Sequence, residues 1–382
     1  MREWIFWLSC AGILYTYLGY PALLWVWVHL SYQPVRKGPL QLPRVSLLIP
    51  AHNEEGVIRR KLENCLALDY PQESLEILVG TDGCTDSTDK IVAKFASNRL
   101  RHYRLPLRVG KPTVLNHLVW QSRRQILVFT DARQILAPDA IRQLVENFHD
   151  PNVGCVSGEL ILTHEEQSPV GEGVGLYWRY EKWIRQQESR IGSVIGATGA
   201  LYAIRKSLYR PLAPDTVLDD VAIPMGIIRK GYRAIFEPCA LATDQLSKNS
   251  SDEFRRKTRT LAGNYQLFVQ QDSLLAPGSP IAWQFWSHKL FRTVVPFWLL
   301  LAFFTSATLS GPVYFWVWVA QLLFYGLAIV GGLAQYPALR HLGWRSARMA
   351  YVFCLLNLSA LVGLYRFLRA RQPVTWEKAY GT

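Results

Sequence analysis

Three apolar runs in this chain of 382 residues end in a short polar cluster that contains a carboxylate. Glu54, Asp82 and Asp131 each follow such a run within a few residues. Buried parallel strands are continuous apolar runs, and ligands bind outside the carboxyl ends of such strands. We therefore expect the three carboxylates to meet at one edge of a sheet, in a site for a nucleotide or another phosphate-containing ligand.

A lysine and a pair of aspartates have side chains suited to the same chemistry. Lys111 lies at the predicted start of a helix, an end that prefers anions, so a bound diphosphate would explain its position. A solvated surface lysine is the alternative. Asp219 and Asp220 open a later helix, where a carboxylate can act as a general base or cap the helix. For Asp86 a helix cap is the better explanation.

The order of apolar runs and helix signals predicts an α/β fold with a doubly wound sheet that positions these residues. Strands are expected at 45–50, 75–80, 100–105 and 126–129, and helices at 54–68, 88–95, 111–121 and 138–150. Beyond residue 153 the pattern is less regular, with helices expected at 177–183, 219–229 and 254–268 and a strand at 232–236.

Long uncharged segments flank this α/β region. Residues 4–30 can cross a bilayer once, residues 293–333 twice, and residues 349–365 are just long enough for a further crossing. The first segment is too long for a signal peptide and lacks a small-residue cleavage site, which favours a retained anchor. The predicted organisation is an N-terminal anchor, a soluble domain, an interfacial amphipathic helix, and a membrane region with a basic tail: 1–35, 36–280, 281–292 and 293–382.

The formal net charge of +13 is concentrated at the edges of the membrane segments. Positive-inside topology and contact with anionic lipid explain this charge better than nucleic-acid binding does, because no basic helix with interleaved aromatic residues stands apart. The six cysteines form no CxxC or metal-type spacing, which suits a reducing compartment, so the soluble domain is placed in the cytosol. A third C-terminal crossing would put the basic residues 366–378 outside, against the positive-inside rule.

Two stretches of sequence resemble a known family. Residues 45–89, VSLLIPAHNEEGVIRRKLENCLALDYPQESLEILVGTDGCTDSTD, are similar to the opening of inverting family 2 glycosyltransferases of the GT-A fold. Residues 218–238, LDDVAIPMGIIRKGYRAIFEP, are similar to the membrane-integrated branch of that family, which includes poly-N-acetylglucosamine, chitin-oligosaccharide, hyaluronan and cellulose synthases. The resemblance covers about residues 44–270 and implies a mixed GT-A sheet, with one N-terminal and two to three C-terminal membrane helices.

The resemblance also implies roles for individual residues of the donor site. Asp82 matches the acid that binds the uracil ring, with Asn53 and Glu54 in the loop beside it. Lys111, in a GKxxALN-like stretch, would contact the diphosphate. Asp131 falls on the DxD motif that holds Mg²⁺ or Mn²⁺. Asp220 occupies the place of the catalytic base, with Asp219 beside it.

The chain departs from the family pattern at two positions. Arg133 replaces the second aspartate of DxD, and is interpreted equally well as a phosphate contact or as an ordinary ion-pair partner. Arg256 and Arg259 align with the Gln and Arg of QxxRW and would contact the nucleotide sugar, but Thr260 replaces the Trp that stacks on the acceptor. This loss puts processive synthesis in doubt.

Three further residues are candidates for contact with the acceptor. Gly199 lies in a small-residue stretch that lets a ligand approach the backbone. Trp178 and Trp183 are suited either to stacking on sugar rings or to anchoring at the headgroup boundary.

The function predicted from the sequence is transfer of a sugar, with GlcNAc the first candidate, from a UDP-sugar to a growing β-linked polysaccharide. Transfer of one sugar to a lipid or lipid-linked acceptor is the alternative. Membrane lipid and accessory export proteins are the expected partners. A non-catalytic membrane subunit would be favoured by loss of Asp220 or Asp82, and both are present. A small-solute transporter is disfavoured because the apolar segments lack internal charges.

Overall fold

The protein is described by a computed structural model that covers residues 1–38, 42–163, 169–245, 250–270, 276, 278–334, 339 and 344–369. An eight-stranded sheet forms the centre of the α/β region, in the order β3-β2-β1-β4-β7-β6-β8-β5. The strands are β1 Val45–Ala51, β2 Leu75–Asp82, β3 Leu100–Leu105, β4 Ile126–Phe129, β5 Ile135–Leu136, β6 Val153–Thr163, β7 Tyr202–Arg205 and β8 Arg233–Gln245.

The helices of the α/β region are α2 Ile58–Leu66, α3 Thr88–Lys94, α4 Lys111–Gln121, α5 Ala140–Val145, α6 Pro169–Ile191, α7 Asp219–Ile228 and α8 Ser250–Gln270. Apolar residues of β1 alternate between two layers of core. Leu47 and Ile49 join the cluster that contains α2 and α5, whereas Leu48 joins the cluster that contains α4 and α7. The sheet is therefore covered by helices on both faces, as a doubly wound sheet requires.

The two halves of the sheet differ in strand direction. Strands β1 to β4 pair in parallel, so their carboxyl ends lie at one edge. Beyond β4 the pairing becomes mixed, because β7 is antiparallel to both β4 and β6, while β8 is parallel to β6 and antiparallel to β5. The GT-A-type mixed sheet expected from the sequence is confirmed, and β6 and β7 are strands that the sequence pattern did not reveal.

Four helices in the described part of the chain are long and apolar enough to cross a membrane. They are α1 Arg2–Leu30, α9 Ala282–Thr308, α10 Pro312–Leu333 and α11 Arg345–Leu368, which gives one N-terminal and three C-terminal apolar helices. Both α1 and α9 contain a π-helical turn, at Tyr15–Gly19 and Phe285–Leu290.

The segment predicted as a separate interfacial helix, 281–292, runs without interruption into α9. Its polar residues Ser287 and His288 are buried. Tyr15 of α1 hydrogen bonds with the hydroxyl of Ser287 at 2.7 Å, and His288 contacts Glu188 of α6 at 2.8 Å. These contacts attach the first turns of α9 to both α1 and the α/β region.

The last apolar helix, α11, packs along α8. A Cβ atom added at Gly363 would lie 3.0 Å from the Leu261 Cβ and 3.2 Å from the Thr258 carbonyl oxygen. The hydroxyl of Tyr265 lies 3.3 Å from the carbonyl oxygen of Ala360, to which it donates, and its ring stacks with Phe367. The second half of α11 is therefore held against a helix of the α/β region.

Candidate active site

The carboxylate of Asp82 ends β2 and holds the loop that leads into α4. Its two oxygens accept hydrogen bonds from the backbone N–H groups of Val109 and Gly110, at 2.7 and 2.9 Å. The side chain is only 1 % exposed. Both oxygens are buried and hydrogen bonded, so Asp82 positions the backbone next to Lys111. Its contact with a uracil ring stays a prediction.

The loop after β1 is joined to the loop after β2 by side-chain hydrogen bonds. Asn53, at φ 53°, accepts from the Thr85 N–H at 2.8 Å and donates to the Thr85 hydroxyl at 3.0 Å. The N–H of Glu54 donates to the Thr88 hydroxyl at 2.7 Å. Asp86 accepts from the N–H of Thr88, the first residue of α3, at 2.9 Å, one position before the N-cap residue Ser87.

Lys111 connects three elements that are far apart in the sequence. Its Nζ lies 2.9 Å from Oδ1 of Asp131, directly after β4, and 3.1 Å from Oδ1 of Asp219, at the start of α7. Burial alone would lower the pKa of Lys111, but Asp131, Asp219 and Asp220 together raise it well above its usual range. The structure therefore brings the predicted lysine and carboxylates together at one edge of the sheet.

Asp220 lies next to this group, on the first turn of α7. Burial and the neighbouring Asp219 raise its pKa to about 6, although Lys111 and Lys289 act in the opposite direction. A Cβ added at Gly199 would lie 3.1 Å from Oδ2 of Asp220, so the glycine leaves space directly beside the carboxylate. A carboxylate with a pKa near neutrality is suited to accept a proton from a hydroxyl group.

A buried lysine that the sequence analysis missed supports the loop of Asp131. Lys61 of α2 is 0 % exposed and donates to the Thr130 hydroxyl and the Gln134 carbonyl, each at 2.7 Å. Burial lowers its pKa. The sequence did not indicate this burial, because a lysine in an amphipathic helix is usually solvent-exposed.

The donor set for a divalent ion at this edge is small. Among the described residues no group of three or more His, Cys, Asp or Glu side chains could hold a metal ion. Asp131, 38 % exposed, offers the accessible carboxylate, while Arg133 pairs with Asp244 at 3.3 Å. Mg²⁺ is commonly bound by one or two carboxylates together with substrate phosphates and water, so Asp131 fits an ion held mainly by a nucleotide.

Arg256 and Arg259 lie half-buried on α8, the helix against which α11 packs. The neighbouring Thr260 lines a cavity between α8 and the apolar helices, together with Lys257 and Lys289. Lys289 was missed by the sequence analysis because its segment was interpreted as an interfacial helix, where a lysine needs no special role.

The two tryptophans predicted to contact the acceptor have different environments. Trp178 lines a pocket with Glu159, Arg185 and Phe236, which suits a polar ligand with an apolar face. Trp183 packs against the apolar cluster that includes Tyr20 and Leu24 of α1. This position gives Trp183 a packing role beside the N-terminal helix, and its contact with the acceptor stays a prediction.

Comparison with known proteins supports the same class of enzyme. A probable glycosyltransferase of Bacillus subtilis (strain 168), YdaM, is 28% identical over 249 residues, which is 62% of this chain and 58% of the relative. Poly-beta-1,6-N-acetyl-D-glucosamine synthase of Staphylococcus aureus (strain MSSA476) is 25% identical over 236 residues, 60% of this chain and 57% of the relative. The match thus spans less than two thirds of the length of these curated relatives.

A solved structure shares the fold of nearly the whole chain. Mannosyltransferase PcManGT from Pyrobaculum calidifontis, in complex with GDP-Man and Mn²⁺, superposes with a TM-score of 0.74 and 22% sequence identity, over 97% of this chain and 100% of that chain. Residues 46–212, which include β1 to β4 and Lys111, match Glycosyl transferase family 2. The chain therefore carries a glycosyltransferase domain of family 2.

Proposed function

We propose that this chain is a membrane-bound inverting transferase that moves a sugar from a nucleoside diphosphate sugar, first of all a UDP-sugar, to an acceptor hydroxyl. The observation that carries the proposal is the contact of Lys111 with Asp131 and Asp219, beside a carboxylate of raised pKa, Asp220. Cations beside a diphosphate stabilise the charge that develops as it leaves. A carboxylate on the acceptor side takes the hydroxyl proton.

In this reaction the acceptor oxygen forms a bond with the anomeric carbon, and the bond from that carbon to the diphosphate oxygen breaks. The electron pair leaves with the nucleoside diphosphate, and the acceptor proton passes to Asp220. Lys111 is already oriented by two carboxylates, so it can stabilise the departing phosphate without reorganisation. A Mg²⁺ or Mn²⁺ ion held by Asp131 would supply further neutralisation of the diphosphate.

The sequence analysis left two possible acceptors, a polysaccharide and a lipid. A growing β-linked polysaccharide agrees with the name of the staphylococcal relative, poly-beta-1,6-N-acetyl-D-glucosamine synthase. A lipid or lipid-linked acceptor agrees with Thr260 in the position of the stacking tryptophan, and with the basic cavity that Thr260 lines. The charge of that cavity favours the second acceptor.

The proposed location is a membrane, with the α/β region on the cytosolic side. The basic Arg36-Lys37 after α1 supports this orientation under the positive-inside rule. The packing of α11 on α8 supports an end of α11 on that same side, because Gly363 and Ala360 are held against Leu261 and Tyr265. With this arrangement the basic Arg366 and Arg369 at the end of α11 agree with the rule.

Incubation of the purified full-length protein in nanodiscs with a panel of UDP- and GDP-sugars tests the proposal, with nucleotide release and product mass recorded. We expect one donor to be consumed in the presence of Mg²⁺ or Mn²⁺, and turnover to fall by about 10²- to 10⁴-fold in Asp220→Asn. A ladder of products would support polymerisation, whereas a single added sugar would support the second acceptor. Absence of nucleotide release from every donor would refute the proposal.

A further inference from the structure

Arg185 of α6 connects its helix to two other elements through its guanidinium group. It donates hydrogen bonds to the hydroxyl groups of Thr198 at 2.6 Å and Ser157 at 2.7 Å. A longer hydrogen bond, of 3.4 Å, reaches the Gly196 carbonyl. Ser157 lies on β6, whereas the other two acceptors lie in the 196–199 loop, which precedes β7. A guanidinium group presents five donors in a planar fork, so one side chain can bind all three acceptors together.

The surroundings of this guanidinium group make its contacts specific. Ser157 is 0 % exposed, and its hydroxyl oxygen also accepts from the N–H of Thr198 at 2.8 Å. The Cζ atom of Arg185 lies 4.8 Å from the centroid of the Phe236 ring, on β8, and this contact favours one orientation of the guanidinium group. Loss of the donor would leave buried hydroxyl groups with fewer partners, at a cost in free energy. Arg185 therefore fixes the 196–199 loop against α6, β6 and β8.

The same loop packs on the first turn of α7, where the proposed base lies. The N–H of Ala197 donates to the backbone carbonyl of Asp220 at 2.7 Å. The backbone at Gly199 approaches the side chain so closely that an added Cβ would lie 3.1 Å from Oδ2 of Asp220. Among the described residues, the Asp220 carboxylate forms no side-chain hydrogen bond or salt bridge, so its position depends on the backbone packed against it.

We infer that Arg185 is a positioning residue for the proposed base, because it holds the 196–199 loop where that loop sets the position of the Asp220 carboxylate. The inference rests on the proposed function, since it concerns the base of the same reaction. In this role Arg185 acts through the loop and not on the reacting atoms. A displacement of about 1 Å can slow a reaction by about 10²-fold, so loss of the guanidinium group should reduce kcat.

The kinetic test compares Arg185→Gln with the unmodified full-length protein in nanodiscs, using the donor that the panel of nucleotide sugars identifies. We expect kcat to fall by about 10- to 10²-fold and the donor KM to stay unchanged, because Lys111, Asp131 and Asp219 are untouched. In the Asp220→Asn background the same substitution should lower kcat by about twofold or less, since the base through which it acts is already absent. An equal fold-loss in both backgrounds would refute the inference, and so would a raised donor KM with unchanged kcat.

Two further variants separate positioning from general stability. Thr198→Val keeps the size of the side chain, removes one acceptor of Arg185 and should lower kcat by a few-fold. It provides the test if Arg185→Gln folds poorly, and unchanged kcat in Thr198→Val would refute the inference.

Arg205→Gln is the matched control. Arg205 lies at the end of β7 away from the 196–199 loop and donates to the carbonyl groups of Val153 and Phe148 at 2.9 and 2.8 Å. Its guanidinium group also lies over an aromatic ring, that of Phe148, at 5.3 Å. The substitution should leave kcat unchanged even if the unfolding temperature falls. A loss of kcat as large as that of Arg185→Gln would contradict a specific role for Arg185.

Hydrogen exchange tests the structural step without any turnover. Peptides that contain Ala197 and Thr198 should exchange their backbone amide protons about tenfold faster in Arg185→Gln, because the loop loses its attachment, and at the original rate in Arg205→Gln. Unchanged exchange in Arg185→Gln would refute the inference. If Asp220→Asn kept near-normal turnover, the proposed base would be wrong, whereas faster exchange in Arg185→Gln would still show that Arg185 holds the loop.

Discussion

Two lysines act on Asp220, and their surroundings differ. Lys111 is held by Asp131 and Asp219 at 2.9 and 3.1 Å, so its charge is balanced within the protein. Lys289 forms no salt bridge in the described part of the chain and lines an open cavity. The first region is preorganised by its salt bridges, whereas the second places a cation at a cavity without a salt bridge to hold it.

The comparison separates donor chemistry from acceptor recognition. Changes in the carboxylate cluster should reduce the rate of transfer or the stability of the fold, because its charges depend on each other. Substitutions in the cavity should mainly change the KM for the acceptor. Four substitutions test this division, in order of decreasing effect.

Replacement of Asp220 by Asn should have the largest effect. Removal of a general base costs about 10²- to 10⁴-fold in rate, and we expect a loss in this range with the donor KM retained. In the unmodified protein a base with a pKa of about 6 must be deprotonated, so the transfer rate should rise with pH through about 6 and then level off. Steady-state rates between pH 5 and about pH 8 check both statements.

Retention of near-normal turnover in Asp220→Asn would show that another group takes the proton. Asp219→Asn is the companion variant, since Asp219 contacts Lys111 directly. It should disturb donor binding as well as the rate. If both variants changed the donor KM equally, Asp220 could not be distinguished as the base from Asp219 as a residue of the donor site.

Replacement of Lys111 by Met should destabilise the fold and remove activity. The change leaves Asp131 and Asp219 close together without the cation between them, and breaking a buried pair in this way costs about 3 kcal/mol or more. Thermal unfolding in detergent should shift down by about 5 °C or more. Lys289→Met, which breaks no salt bridge in the described residues, should shift the unfolding temperature less. An equal shift would contradict the contrast between the two lysines.

The difference between the two regions also explains which parts of the site could be predicted from the sequence. Asp131 and Lys111 were predicted to lie together because strand ends and helix starts of a parallel sheet meet at one edge, which is a local rule. Five helices that are widely separated in the sequence line the cavity. The periodicity of a single helix does not predict which other helices it will contact. The key cation of the cavity, Lys289, has the same local pattern as any lysine at a membrane boundary.

Two further residues have contacts that the sequence pattern did not indicate. Asp82 was predicted to bind the uracil ring, and its carboxylate also accepts hydrogen bonds from Val109 and Gly110 in the loop before α4. Trp183 was predicted to contact the acceptor, and it also packs beside α1. In both cases the additional contact comes from a segment distant in the chain.

Replacement of Gly199 by Ala should reduce transfer by about tenfold and leave the fold intact. The added methyl group would lie 3.1 Å from Oδ2 of Asp220, and a small displacement of a reacting group is enough to slow the reaction. Gly226→Ala, on the same helix as Asp220, is the control, because a Cβ there meets no heavy atom within 4 Å. Unchanged kcat in Gly199→Ala would show that the space beside Asp220 is not used by the acceptor.

Replacement of Gly363 by Val should have the smallest effect, and only on the cavity. The larger side chain would collide with Leu261 and the Thr258 carbonyl and push α11 away from α8. We expect a few-fold rise in the acceptor KM and no change in nucleotide release without acceptor. Gly326→Val, where a Cβ meets nothing within 4 Å, should leave both unchanged. A change in nucleotide release in Gly363→Val would mean that α11 supports the donor site too, and the two regions could no longer be treated as separate.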